Sequence, residues 1–109
     1  MTPHHALHYA STPPALYHLA RAGIRRANPR APWPLLHAQL DAPTIRAEWL
    51  REYRDVCGFP PSPSVPLTVP QVLAVPVHIA LLGHASFPLP AMGIVHLHQR
   101  LEQFLPLDP

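Results

Sequence analysis

Histidine is the chemically versatile side chain that this sequence carries in number, at nine of 109 residues. His4-His5-x-x-His8 has a spacing at which imidazoles can converge on a transition metal. No Cys or carboxylate stands beside that triplet, so it reads as a flexible end rather than a ligand set. His96 and His98 share one phase of a strand, which supplies half a ligand set and reads as an ordinary polar face. His78 interrupts an apolar segment, where it either meets a ligand or is satisfied by backbone. His84 follows Gly83 at a helix end and suits the negative pole of the helix dipole. Cys57 has no base near it in sequence and precedes a helix-stopping Gly58, so it reads as structural. The four glycines are scattered, and neither a phosphate-cradling loop nor a serine nucleophile elbow appears.

Composition narrows the classes of chain that could position such groups. Leu, Ile, Val and Phe make up 30 of 109 residues, about 28%, above the ~20% below which disorder is the default. Proline is the anomaly at 17 residues, about 16%, against a usual ~5%. Length allows one domain, with a small core. A single cysteine excludes an internal disulfide and fits a reducing compartment. The residues before Tyr9 show no secretory-signal pattern, and the longest apolar run, Val72 to Leu82, falls short of the ~20 residues that cross a bilayer. A soluble, cytoplasmic protein with no membrane partner is expected. The net charge is +2, yet Arg21, Arg25, Arg26 and Arg30 stand among the first 30 residues with no acid. Lysine is absent and stacking aromatics do not interleave with the arginines, which argues against nucleic acid and for a solvated helix end.

The elements follow from periodicity. Thr12 to Arg26 predicts a helix, capped by Thr12 and opened by Pro13 and Pro14, with Leu16, Leu19, Ala20 and Gly23 as its buried stripe. Asn28 to Pro34 reads as a linker. Leu36 to Asp41 alternates as a strand with Leu36, Ala38 and Leu40 inward. Thr44 to Cys57 predicts a second helix, apolar along Ala47, Leu50, Tyr53, Val56 and Cys57 and stopped by Gly58. Five prolines between Phe59 and Pro70 leave an extended connection, with room for a short edge strand at Val65–Val69. Gln71 to Leu82 predicts a buried helix in which Pro76 lies in the first turn or kinks the axis. Being apolar all round, that helix requires walls on every side. Met92 to Leu105 alternates as a long strand, which requires a hydrogen-bonding neighbour.

Three stretches carry a resemblance. The run from Val65 to Leu82 (VPLTVPQVLAVPVHIALL), the run from Phe87 to Leu97 (FPLPAMGIVHL) and the helix end Tyr53 to Phe59 (YRDVCGF) together resemble MaoC-like acyl dehydratases over roughly residues 50–107. The order of prolines with Gly93 and His96 carries the likeness, and Gln71 stands where relatives often have His. Residues 1–49 match only loosely, as an N-terminal helix, a Pro-rich linker and a first strand.

The resemblance implies an α+β, hot-dog-like fold, a central apolar helix against a curved antiparallel sheet, as an incomplete unit with its core segment in residues 50–109. It implies the N-terminal, non-catalytic half of a hydratase or dehydratase acting on 3-hydroxyacyl or enoyl thioesters. Val72, Val75, Ile79 and Leu82 would line the acyl-chain tunnel, with His78 beside the thioester. The substrate would ride on coenzyme A or a carrier protein, with no other cofactor and no metal. The family's Asp-x-x-x-x-His acid/base pair is absent here: Asp41 is followed at that spacing by Arg46 and Asp55 by Pro60. A second hot-dog unit, or a homodimer partner, would complete the assembly. The alternatives are a small stand-alone hydratase or thioesterase, dimeric and using His78, His84 or His96 with Asp55 or Glu102, and a binding or scaffold module without catalysis.

Overall fold

The computed structural model describes residues 2, 4–41, 43–91 and 93–109. The fold is α+β, with the order β1 (His4–Tyr9), α1 (Ala15–Ile24), β2 (Leu35–Leu40), α2 (Ala47–Cys57) and α3 (Val69–Leu82). β1 and β2 pair parallel, from His4 opposite Leu35 to Tyr9 opposite Leu40. A parallel pair needs a long crossover, and α1 with the proline-rich linker provides it. The expected antiparallel arrangement is therefore corrected: the sheet among the described residues has two strands and they run parallel. β1 was not expected. His4 to Tyr9 alternates exposed and half-buried residues, the signature of a strand with one face covered.

α1 forms within its predicted span but begins at Ala15. Pro14 occupies the cap position and no side chain caps it, so Thr12 does not play that part. The expected Leu16–Leu19 stripe is also corrected, since those side chains are 83% and 51% exposed. The covered face is instead Ala22 with His18 and Arg25. Close approach of small residues decides this: a Cβ on Gly83 would lie 2.9 Å from the His18 carbonyl oxygen and 3.7 Å from the Ala22 Cβ. Glycine at 83 and alanine at 22 let α1 and α3 touch, and the leucines stay outside.

Arg25 then fixes the chain after α3. Its guanidinium donates to the carbonyl oxygens of Leu82 (3.1 Å), Phe87 (2.5 Å) and Leu89 (2.7 Å) and lies 5.5 Å from the Phe87 ring centre. The planar fork suits three acceptors at once in a way an ammonium would not. Of the four N-terminal arginines expected to be solvated, this one is a clamp.

β2 bears out the alternation, with Leu36, Ala38 and Leu40 half-buried and Leu35, His37 and Gln39 exposed. α2 ends where Gly58 adopts a left-handed conformation (φ 75°), which a side chain would oppose. Leu50 is buried against Val65 and Val69, with Ile45, Trp49, Tyr53 and Leu73 packed around them. The Tyr53 hydroxyl and Thr68 Oγ1 share a 2.6 Å hydrogen bond. Ala47, Val56 and Cys57, predicted on the apolar side, are exposed because the core draws on the Trp49–Leu50–Tyr53 side instead.

Val65–Val69 is a turn rather than an edge strand: Val69 N–H donates to Pro66 O at 3.0 Å, and Val69 opens α3. The helix starts two residues before its predicted beginning, so Pro70 sits in the first turn and Pro76 in the interior. Lacking an N–H, Pro76 leaves the Val72 carbonyl without its helical partner. Nor is α3 walled on every side, as Val72 and Val75 are 39% and 43% exposed.

The predicted strand from Met92 to Leu105 does not form in its described part. Residues 94–100 have no regular structure, and the arm is exposed throughout. Its polar contacts are local, such as the Arg100–Glu102 ion pair and His96 Nε2 to the His98 carbonyl at 3.1 Å. No sheet edge lies alongside to accept its backbone, and period-two patterning alone cannot hold a strand. Met92 lies outside the described residues. No helix among those residues is long and apolar enough to cross a membrane.

Candidate functional site

A groove of about 630 Å³ lies between α3 and β2, within the range of small-molecule sites. One wall is the inward face of β2, Leu36, Ala38 and Leu40, continued by Pro43 and Ile45. The other is a face of α3 formed by Pro70, Leu73, Ala74, Val77 and Leu81. Leu73, Val77 and Leu81 recur every four residues and so stack along one side of the helix. Ala74 between them keeps the groove open. Among the described residues, His37 and His78 are the only titratable side chains on the lining, with no carboxylate, arginine, serine or cysteine beside them. A second His78 contact is weak: its Nδ1 lies 3.5 Å from Gln71 Nε2. The arrangement takes up an apolar body and offers imidazole to a polar group.

Of the residues the resemblance assigned to substrate, His78 alone lines this groove. Val72, Val75, Ile79 and Leu82 fall on the far side of α3. At about 100° per residue, their arc is centred roughly 180° away from that of Leu73, Val77 and Leu81. Nothing in the sequence could phase this helix, because apolar residues surround its axis.

The other histidines do not converge. His4 and His8 occupy the outer phase of β1 and His5 the inner one, where its ring lies 4.8 Å from that of His84. Among the described residues no group of three or more His, Cys, Asp or Glu is placed to hold a metal. His8 Nε2 is 2.9 Å from Asp41 Oδ1, and that bond holds the exposed Asp41 carboxyl below its ordinary range. His84 Nδ1 is 2.7 Å from Ser86 Oγ. Asp55 and Glu102 make no bond to His78, His84 or His96 among the described residues, so the pairs a stand-alone enzyme would need are not assembled. Cys57 is exposed at the end of α2.

His84, outside the groove lining, gives the fold a pH dependence. Burial, and then the positive charges of His5, Arg21 and Arg25, lower its pKa from the ordinary 6.5. The folded protein thus resists a proton that the unfolded chain accepts. The contribution is present above pH 6.5 and is lost as the pH falls from there through the folded value. Thermal melts between pH 8 and 5 are expected to show a smaller acid-side fall for His84→Gln than for the parent chain. An unchanged difference between the two across that range would contradict this.

No family model, no curated protein and no solved structure matches the chain.

Proposed function

We propose that this chain is a non-catalytic acyl-thioester-binding unit of the hot-dog type, the counterpart of the N-terminal half of a MaoC-like acyl dehydratase. The motifs of residues 53–97 support the family, and the α3–β2 groove supports the role. The observation that carries the reading is a groove lined by aliphatic side chains and two imidazoles, with no carboxylate. Leu73, Val77 and Leu81 take one side of the alkyl chain and Leu36 and Ala38 the other. An imidazole N–H of His78 donates to the thioester carbonyl. Such a bond orients the acyl group, but hydration also needs a second group to move a proton to or from water at the β-carbon. That group belongs to a partner unit. A coenzyme A or carrier-protein arm brings the substrate, and the lone Cys57 suits the reducing cytoplasm.

The purified chain is expected to leave crotonyl-coenzyme A unhydrated, with the enoyl thioester's ultraviolet absorbance decaying no faster than in buffer. Robust turnover by the chain alone would overturn the non-catalytic assignment.

A further inference from the structure

The arm from Ile94 to Leu105 and the open edge of β2 are two halves of one joint. The arm alternates: Val95, Leu97, Leu101 and Leu105 fall on one phase with Gln99 and Gln103, while His96, His98, Arg100 and Glu102 fall on the other with Ile94 and Phe104. That is how a strand covered on one face is written. In the structure it has no strand partner, and Leu97, Phe104 and Leu105 are 91%, 89% and 76% exposed. Its ends are nonetheless held. Leu89 O receives Arg25, and Leu107 O receives the Val65 N–H at 2.8 Å. The segment between these ties is irregular and exposed, and the Cα radius of gyration, 16.3 Å, exceeds the ~13 Å of a compact chain this long.

The β1–β2 sheet lacks what the arm has. Two strands are too few to be stable except against helices, and each strand has one unpaired edge among the described residues. At the β2 edge the inward face of Leu36, Ala38 and Leu40 runs straight into the α3–β2 groove.

We infer that the chain forms a two-fold dimer in which the arm of each copy, residues 94–105, adds as a strand to the β2 edge of the other. Donor and acceptor are both present in every copy, so reciprocal exchange closes the assembly with no arm or β2 edge left over. At roughly 3.3 Å per residue, the twelve residues extend to about 40 Å, more than enough to lie along the six residues of β2, which span about 20 Å. The phase with Val95, Leu97 and Leu101 extends the apolar face of β2, so the partner's arm roofs the groove. Four exposed apolar side chains of the arm, Val95, Leu97, Leu101 and Leu105, lie on that phase. At roughly 60–120 Å² each they bury about 500–1,000 Å² over two arms, and the β2 and groove surface they cover adds a similar area, which together reaches the ~1,200–2,000 Å² of a stable interface. The inference rests on the proposed function only for the incompleteness of the unit, and its test uses no acyl ligand.

Sedimentation of the full chain from ~1 to 200 µM is expected to reveal a species of twice the 12.1 kDa chain mass. The double variant Leu97→Asp, Leu105→Asp changes two solvent-facing side chains of the pairing phase and is expected to weaken the dimer at least tenfold. Hydrogen exchange of the parent at high concentration should show protection in the arm and along β2 that the variant lacks. A monomer throughout that range would overturn the exchange. So would a dimer whose affinity the double variant leaves unchanged, or one in which the arm amides exchange as freely as in an open chain.

Discussion

Leu50→Ala is expected to lower the melting temperature by roughly 10–20 °C, the largest effect of any single truncation in the chain. Leu50 is 3% exposed and packs on Val65 and Val69, which are 3% and 0% exposed. Removing a buried leucine beyond its Cβ costs about 2–5 kcal/mol, because the transfer free energy is lost and a cavity remains. A chain of this size holds only about 5–15 kcal/mol in all. For domains near 100 residues each kcal/mol shifts melting by about 4–8 °C. The neighbours have little freedom to collapse into the space, since Tyr53 is tied to Thr68 through its hydroxyl and stacked on Trp49. Leu16→Ala removes the same atoms from a residue that is 83% exposed and should shift stability by less than about 0.5 kcal/mol. Melts followed by circular dichroism compare the two; equal shifts would contradict the placement of the core.

Ala74→Phe is expected to weaken binding of an acyl thioester by ten- to a hundredfold while leaving the fold intact. Ala74 lines the groove between α3 and β2, where its methyl group leaves the space an alkyl chain would take. A phenyl ring extends into that opening rather than into packed core, so the cost falls on the ligand. A tenfold loss corresponds to about 1.4 kcal/mol, within what excluding two or more methylenes supplies at about 0.8 kcal/mol each. Val75→Phe adds comparable bulk one residue on, but Val75 is 43% exposed and outside the groove lining. It should bind as the parent does. Calorimetric titration with an octanoyl thioester distinguishes them. Equal weakening by both, or by neither, would contradict the groove as the acyl site.

Much of the fold was legible where a single local rule governs. Alternation placed Leu36, Ala38 and Leu40 on the inner face of β2, and Gly58 marked the end of α2 through its left-handed conformation. Reading failed where tertiary contacts decide. Leu16 and Leu19 looked like a buried stripe, but the close approach of Ala22 to Gly83 turned α1 the other way. His4 to Tyr9 was read for its histidines, although its exposed-and-covered alternation matches that of β2, on which it pairs. The arm carries a strand's pattern without a strand's neighbours, and pattern cannot supply the missing ladder. For the groove, the sequence indicated α3 and His78 but not the side of α3 that faces β2. An axis surrounded by apolar residues has no hydrophobic phase to read.

The face of α3 toward β2 is proposed to hold an acyl chain. Nuclear magnetic resonance of the isotopically labelled chain, titrated with octanoyl-coenzyme A, tests it most directly. Saturable methyl shifts at Leu36, Ala38, Leu73, Val77 and Leu81, with one ligand per chain, are the predicted result. No saturable shifts, or shifts gathered at Val72 and Val75, would contradict it.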